Sequence, residues 1–180
     1  MHNLKERSFN EWLVIESQRG EKEAFNTLIQ NWEQRYFLYA LNRLKSRDAA
    51  KDVTQESLIS ISKGLRKLSD PASFPKWSFR IVERRCVDWL RKMIREREFI
   101  QAQEELPEIP IHDGIEDKLS VEQLLSKMDS RLAIILRLYY LEALTIQEIA
   151  EVSDVPSGTV KSRLFYARKM MTKLLENDHE

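Results

Sequence analysis

Apolar residues recur every three or four positions over most of this chain, which is the period of an amphipathic α-helix and not the alternation of a strand. The pattern begins near Trp12, and Gly20 ends a first short helix. Ala24, Phe25, Leu28, Ile29 and Trp32 mark the next, and Phe37, Ala40, Leu41 and Leu44 carry it to a break at Ser46-Arg47-Asp48. Val53, Leu58, Ile61 and Leu65 line a third, closed by Ser69-Asp70-Pro71. After a loop through Phe74-Pro75 a further helix is expected from about Lys76, with Trp77, Ile81 and Leu90 in its core. A later helical stretch takes its apolar face from Leu124, Leu125, Met128, Leu132, Ile135, Leu136, Leu138 and Tyr139. The pattern predicts an all-α protein.

Composition shifts between the two stretches. From Glu96 to Asp117 eight acids accompany one base, Arg97, and Pro107, Pro110 and Gly114 interrupt any period. This reads as a flexible acidic linker. The expected organisation is therefore a helical domain over 1–95, a linker over 96–118 and a second helical domain over 119–180.

The densest signal lies between Thr145 and Lys169. Thr145 followed by Glu148 is the spacing of a capping box, in which hydroxyl and carboxylate each satisfy a free N–H at a helix start. Ile146, Ile149 and Ala150 continue on one face until Ser153-Asp154 breaks it, and Pro156-Ser157-Gly158 starts a second helix. There Val160, Leu164, Ala167 and Met171 form the apolar stripe, while Ser162, Phe165, Tyr166 and Lys169 face away, flanked by Lys161, Arg163 and Arg168. Five Lys or Arg and no acid lie between Pro156 and Leu175. That is the layout of a helix-turn-helix whose second helix enters a DNA major groove. A helical hairpin with a basic, solvated face has the same features, and these residues alone leave both open.

A second basic helix lies upstream. Arg80, Arg84, Arg85, Arg91, Lys92, Arg95 and Arg97 outnumber Glu83, Asp88 and Glu96. Beside an aromatic-bearing loop, such a helix suits single-stranded DNA, because cations track phosphates while an aromatic pocket holds an unstacked base. A solvated surface would look similar. The apolar Phe25, Trp32, Trp77 and Ile81 are expected in the core.

Over the 180 residues the net charge is zero, so nucleic-acid contact has to come from these local patches. Hydrophobic residues at 42% suffice for a core, and four Gly with five Pro argue against a sandwich or barrel. Cys86 is alone, so no internal disulfide forms, and His2, His112 and His179 offer no zinc-ligand spacing. There is no long apolar run and no signal-peptide core, so a cytoplasmic protein without membrane insertion is expected. No P-loop, paired-His site or nucleophile motif is present, which predicts neither enzyme activity nor a cofactor.

The run EIAEVSDVPSGTVKSRLFYAR resembles the end of the second domain of bacterial sigma factors of the extracytoplasmic-function type. Gly158, Thr159, Val160, Lys161, Ser162, Arg163, Leu164, Ala167 and Arg168 fit the pattern; Tyr166 stands where the family usually has Arg. The likeness extends upstream. Gly20, Ala24 and Phe25 resemble the opening GDxxAF, and Asp52 with Gln55-Glu56 resembles the polymerase-binding DAEDxxQE. Phe74, Trp77, Arg80, Ile81, Asp88, Leu90 and Arg91 resemble the segment that meets the promoter −10 element.

The resemblance implies a promoter-specificity subunit of bacterial RNA polymerase, with core polymerase and promoter DNA as partners. It places −35 contacts at Thr159, Lys161, Ser162, Arg163, Phe165, Tyr166, Arg168 and Lys169, with Arg163 and Arg168 toward phosphates. It places −10 contacts at Phe74, Lys76, Trp77, Arg80, Arg84, Arg91 and Lys92, the loop from Lys67 to Lys76 capturing a flipped base. Polymerase binding falls to Asp48, Asp52, Gln55 and Glu56. Control by an anti-sigma factor or a Ser/Thr kinase is compatible with it.

Two departures carry expectations of their own. Arg84 replaces the usual Asn, which bears on the preferred −10 base. Ala49-Ala50-Lys51-Asp52 replaces DAED, leaving this face about three charge units less negative. Either contacts elsewhere compensate, or phosphorylation of Thr54 or Ser57 supplies the charge. Two other functions fit the helix-turn-helix: a regulator acting without core polymerase, and a polymerase-binding adaptor. The 23 residues of the linker, if extended, reach about 75 Å. That exceeds the roughly 55 Å between promoter elements one and a half helical turns apart.

Overall fold

Where the hydrophobic period first breaks, the backbone turns: Gly20 has φ +102°, a conformation open to a residue without Cβ. It separates α1 (His2–Arg19) from α2 (Lys22–Leu44). The structure is a computed structural model describing residues 2–101 and 121–177, and no strand occurs among the described residues. The next break is tighter than its sequence suggests. Lys45 takes a left-handed turn, its N–H bonding the Leu41 carbonyl at 2.9 Å. Ser46 then caps α3 (Arg47–Gly64) by accepting from the Ala49 N–H, so Arg47 and Asp48 already belong to that helix.

Two short 3₁₀ turns, Leu65–Lys67 and Pro71–Ser73, lead into α4 (Phe74–Gln101). Asp70 caps the second by accepting from the Ala72 N–H at 3.0 Å. The helix starts at Phe74, not Lys76, and it absorbs 96–101 of the expected linker. The rest of that linker lies outside the described residues.

The first half closes around a cluster of aromatic rings. Trp32 meets Phe74 edge-on at 5.3 Å and Phe79 at 5.9 Å, with Tyr36 and Tyr39 buried alongside. The Trp32 indole N–H donates to Asn10 Oδ1. Trp32 is therefore in the core as expected, whereas Trp77, Ile81 and Leu90 are only half-buried. The fully buried positions of α4 are Phe74, Ser78, Phe79, Val82 and Cys86, a face turned by about one residue from the expected one. Trp77 instead lies over the end of α3, where a Cβ on Gly64 would come within 2.8 Å of its ring.

The second half comprises α5 (Val121–Ser126), α6 (Ser130–Leu136), α7 (Ile146–Ser153) and α8 (Ser157–Asn177). A π-helical turn, Arg137–Leu141, continues α6. Leu125, Met128, Leu138, Ile149, Val160 and Leu164 are buried.

The sequence leads one to expect two helical domains joined by a tether; in the structure the two halves lie face to face. α6 packs on α2 and α7 on α4, and one continuous apolar cluster includes residues of both halves. Polar ties cross the same boundary: the Lys45 ammonium donates to the Ser126 and Met128 carbonyls, and Lys76 pairs with Glu151 at 3.0 Å.

Candidate functional site

The helix-turn-helix is built from its caps outward. Thr145 accepts from the Glu148 N–H at 3.2 Å, and the Glu148 carboxylate accepts from the Thr145 N–H at 2.8 Å, so the capping box is complete. Asp154 turns the chain at φ +51°, its N–H bonded to the Ala150 carbonyl. α8 then buries Val160, Leu164 and Ala167 against the fold. The opposite face carries Lys161, Ser162, Phe165, Tyr166 and Lys169 to solvent, with Thr159 half-buried at the helix start. Ser162 Oγ donates to the Thr159 carbonyl at 3.0 Å.

Two of the expected phosphate ligands turn elsewhere. Arg168 Nε donates to the Tyr140 hydroxyl at 2.8 Å, and its guanidinium lies 5.6 Å from the Tyr139 and Tyr140 ring centres. It braces α8 against the π-helical turn and does not stand free. Arg163 is half-buried in a groove shared with Arg43, Glu83, Ile134 and Val155, between the halves.

On α4, Trp77, Arg80, Arg84, Arg91 and Arg95 fall at helical spacing, and the four arginines are exposed. Lys92 is exposed as well, 3.8 Å from Glu96. Phe74 does not belong to this surface: it is 1% exposed, packed into the aromatic core. Lys76 is half-buried and committed to its pair with Glu151.

On α3, Asp48, Asp52, Gln55 and Glu56 form one exposed stripe, joined by Ile59 at 53% exposure. Glu56 sits 3.6 Å from Arg85, which also donates to Ser60 Oγ. The residues read as a source of added charge are placed differently. Thr54 is 4% exposed, donating to the Ala50 carbonyl at 2.6 Å, and Ser57 is fully buried, donating to the Val53 carbonyl at 2.7 Å. A phosphate at either site would have to bury up to two charges and displace a hydroxyl already bonded to the backbone, so this fold does not accommodate it. Ala49 and Ala50 are also buried, so only Lys51 alters the exposed charge.

Sequence reasoning missed the ionic chain between the halves. Glu6 on α1 pairs with Arg35 on α2, Arg35 reaches Glu142 at 3.3 Å, Glu142 lies 4.0 Å from Arg137, and Arg137 pairs with Glu122. The side chains of Arg137 and Glu142 are each 2% exposed. Burial pushes the Glu142 carboxyl up, with Arg35 and Arg137 opposing it. The one available signal was Arg137 standing inside the apolar run from Leu132 to Leu141.

Comparison with known proteins accounts for both halves. Residues 28–96 match the family Sigma-70 region 2, and 118–171 match Sigma-70, region 4. The chain is 30% identical to an ECF RNA polymerase sigma-E factor of Haemophilus influenzae over 189 residues, covering 96% of this chain and 98% of the relative. It is 27% identical to RNA polymerase sigma factor SigV of Bacillus subtilis, covering 87% and 94%. Among solved structures, the sigma factor RpoE of Bartonella quintana, in complex with the anti-sigma factor NepR, gives a TM-score of 0.66 at 19% identity over 84% of this chain and 96% of that one. CnrH, in complex with the cytosolic domain of CnrY, gives 0.61 at 20% identity over 94% and 99%.

Proposed function

The chain belongs to the extracytoplasmic-function sigma factors of the sigma-70 family, and we propose that it is the promoter-specificity subunit through which bacterial core RNA polymerase starts transcription. The observation that carries this reading is that each half presents its own cationic face to solvent, on α8 and on α4. A regulator that read one duplex site would need only the first. In this reading the unit ending in α4 holds the −10 strand with Arg80, Arg84 and Arg91 and meets polymerase through the α3 stripe. The unit from α5 onward reads the −35 duplex with Lys161, Ser162, Phe165, Tyr166 and Lys169. The protein itself performs no bond-making step; nucleotide addition belongs to the polymerase. Like the RpoE sigma factor of similar fold, which is bound to the anti-sigma factor NepR, it is proposed to have an anti-sigma partner.

Packing sets a condition on this function. Helices in contact lie about 8–10 Å apart; α4 packs on α7 and α7 on α8, so as packed α4 and α8 lie well short of the roughly 55 Å between elements on B-DNA. The halves must separate when both are engaged. The 19 residues from 102 to 120 span at most about 65 Å, enough for the separation. The testing experiment is DNA retention by the full chain with and without core polymerase. Promoter-specific retention is expected only with core; equally specific retention by the chain alone would favour a free-standing regulator.

A further inference from the structure

Phe165 and Tyr166 are the two most exposed of the large apolar or aromatic side chains in the described residues, at 64% and 60%. They sit at the middle of the α8 face, with their rings edge-to-face at 5.6 Å. So much exposure means that neither ring contributes much to the core, and their mutual contact presents a single preformed apolar edge. Lys161 and Ser162 precede them by one turn and Lys169 follows, all exposed, and no acid lies on α8 before Glu176. An exposed aromatic edge between cations, on a helix shaped for the major groove, is complementary to a surface that is anionic at its rims and has an apolar group at its floor. In duplex DNA the apolar group on the major-groove floor is the thymine methyl.

We infer that Phe165 and Tyr166 select thymine in the −35 element by packing on its methyl group. The inference rests on the −35 reading of α8. It also accounts for the departure at Tyr166. An arginine there would offer a two-pronged donor suited to guanine, whereas a phenol ring offers one hydroxyl and an apolar face. Lys161, Ser162 and Lys169 remain to bond base edges and phosphates, so the aromatic pair adds discrimination at its own base pairs without supplying the bulk of the affinity.

The test uses holoenzyme reconstituted from core RNA polymerase and the full chain, selecting from promoter fragments with a randomised −35 segment. The selected pool is expected to fix at least one thymine. Replacing that thymine with deoxyuridine removes only the methyl, and retention should fall about fourfold, since burial of one such carbon is worth about 0.8 kcal/mol. Phe165→Ala should abolish the thymine–deoxyuridine difference, and because the residue is exposed the variant should fold. Tyr166→Phe should keep the selected sequence, and Tyr166→Arg should move preference at its base pair to guanine. A selected motif that tolerates deoxyuridine and is unchanged in Phe165→Ala and Tyr166→Arg would overturn the inference alone. So would ring removal that weakens core binding with base preference intact, which would make the pair a protein contact. A pool with no −35 preference, from holoenzyme that still retains −10 DNA, would overturn the −35 reading itself.

Discussion

Thr54 and Ser57 show how far a residue's role depends on which face of its helix it occupies. Both lie within a segment whose neighbours Asp52, Gln55 and Glu56 are exposed, yet both hydroxyls are buried and bonded to carbonyls four residues back. A phosphomimetic at either position should therefore unfold the protein more readily instead of raising its affinity for polymerase. Thr54→Asp is expected to cost about 2–4 kcal/mol in chemical denaturation, as for a charge placed at a buried position. Lys51→Glu is the informative change on that stripe: it reverses an exposed charge and should tighten core binding severalfold at low salt, with the gain shrinking as salt rises. Ala49→Asp, at a 4% exposed position, should destabilise. The stripe Asp48, Asp52, Gln55, Glu56 was legible from spacing plus family resemblance. The burial of Ala49, Thr54 and Ser57 was not, because small and hydroxyl side chains leave no hydrophobic period to mark the inner face.

At the scale of elements, the helices followed their apolar period closely, while their joints depended on cap chemistry. Thr145, Glu148 and the break at Ser153-Asp154 were readable because capping residues have a specific sequence spacing. The rotation of α4 was not. Its expected face ran through Trp77 and Ile81, whereas Phe74, Phe79, Val82 and Cys86 fill the core, since aromatic residues occur on both sides of this helix and only packing decides between them. Trp77 is held at the rim by the absence of a side chain on Gly64, which opposes it from the end of α3. Gly64→Ala should push its Cβ to within 2.8 Å of the indole, shifting Trp77 and costing about 1–3 kcal/mol by overpacking. Thermal unfolding and tryptophan fluorescence would record both. A variant with unchanged stability and emission would show that the ring is free to move.

The whole molecule is held in its packed arrangement by apolar contact and by polar ties across the boundary, and the burial of Glu142 there makes that arrangement sensitive to pH. The Glu142 carboxyl is raised first by burial, so it binds a proton more readily when packed than when exposed. Its contribution to closure is thus greatest toward the ordinary glutamate range, near 4.5, and is lost as pH rises through the raised value. A distance probe between α1 and α8 should report more separation at neutral than at mildly acidic pH. Glu142→Gln should reduce that dependence while leaving Arg35 paired with Glu6 and Arg137 with Glu122. The face-to-face packing itself was hidden in the sequence, whose acidic 96–117 stretch reads as a spacer and says nothing of what the halves do beside it. Promoter specificity is read most directly by run-off transcription with core RNA polymerase and genomic promoter fragments, mapped by start site. Discrete starts are expected that need both core and this chain, and that weaken when Arg80 and Arg84 are replaced together by Ala. Core polymerase that starts no more specifically with the chain than without it would rule out a sigma role.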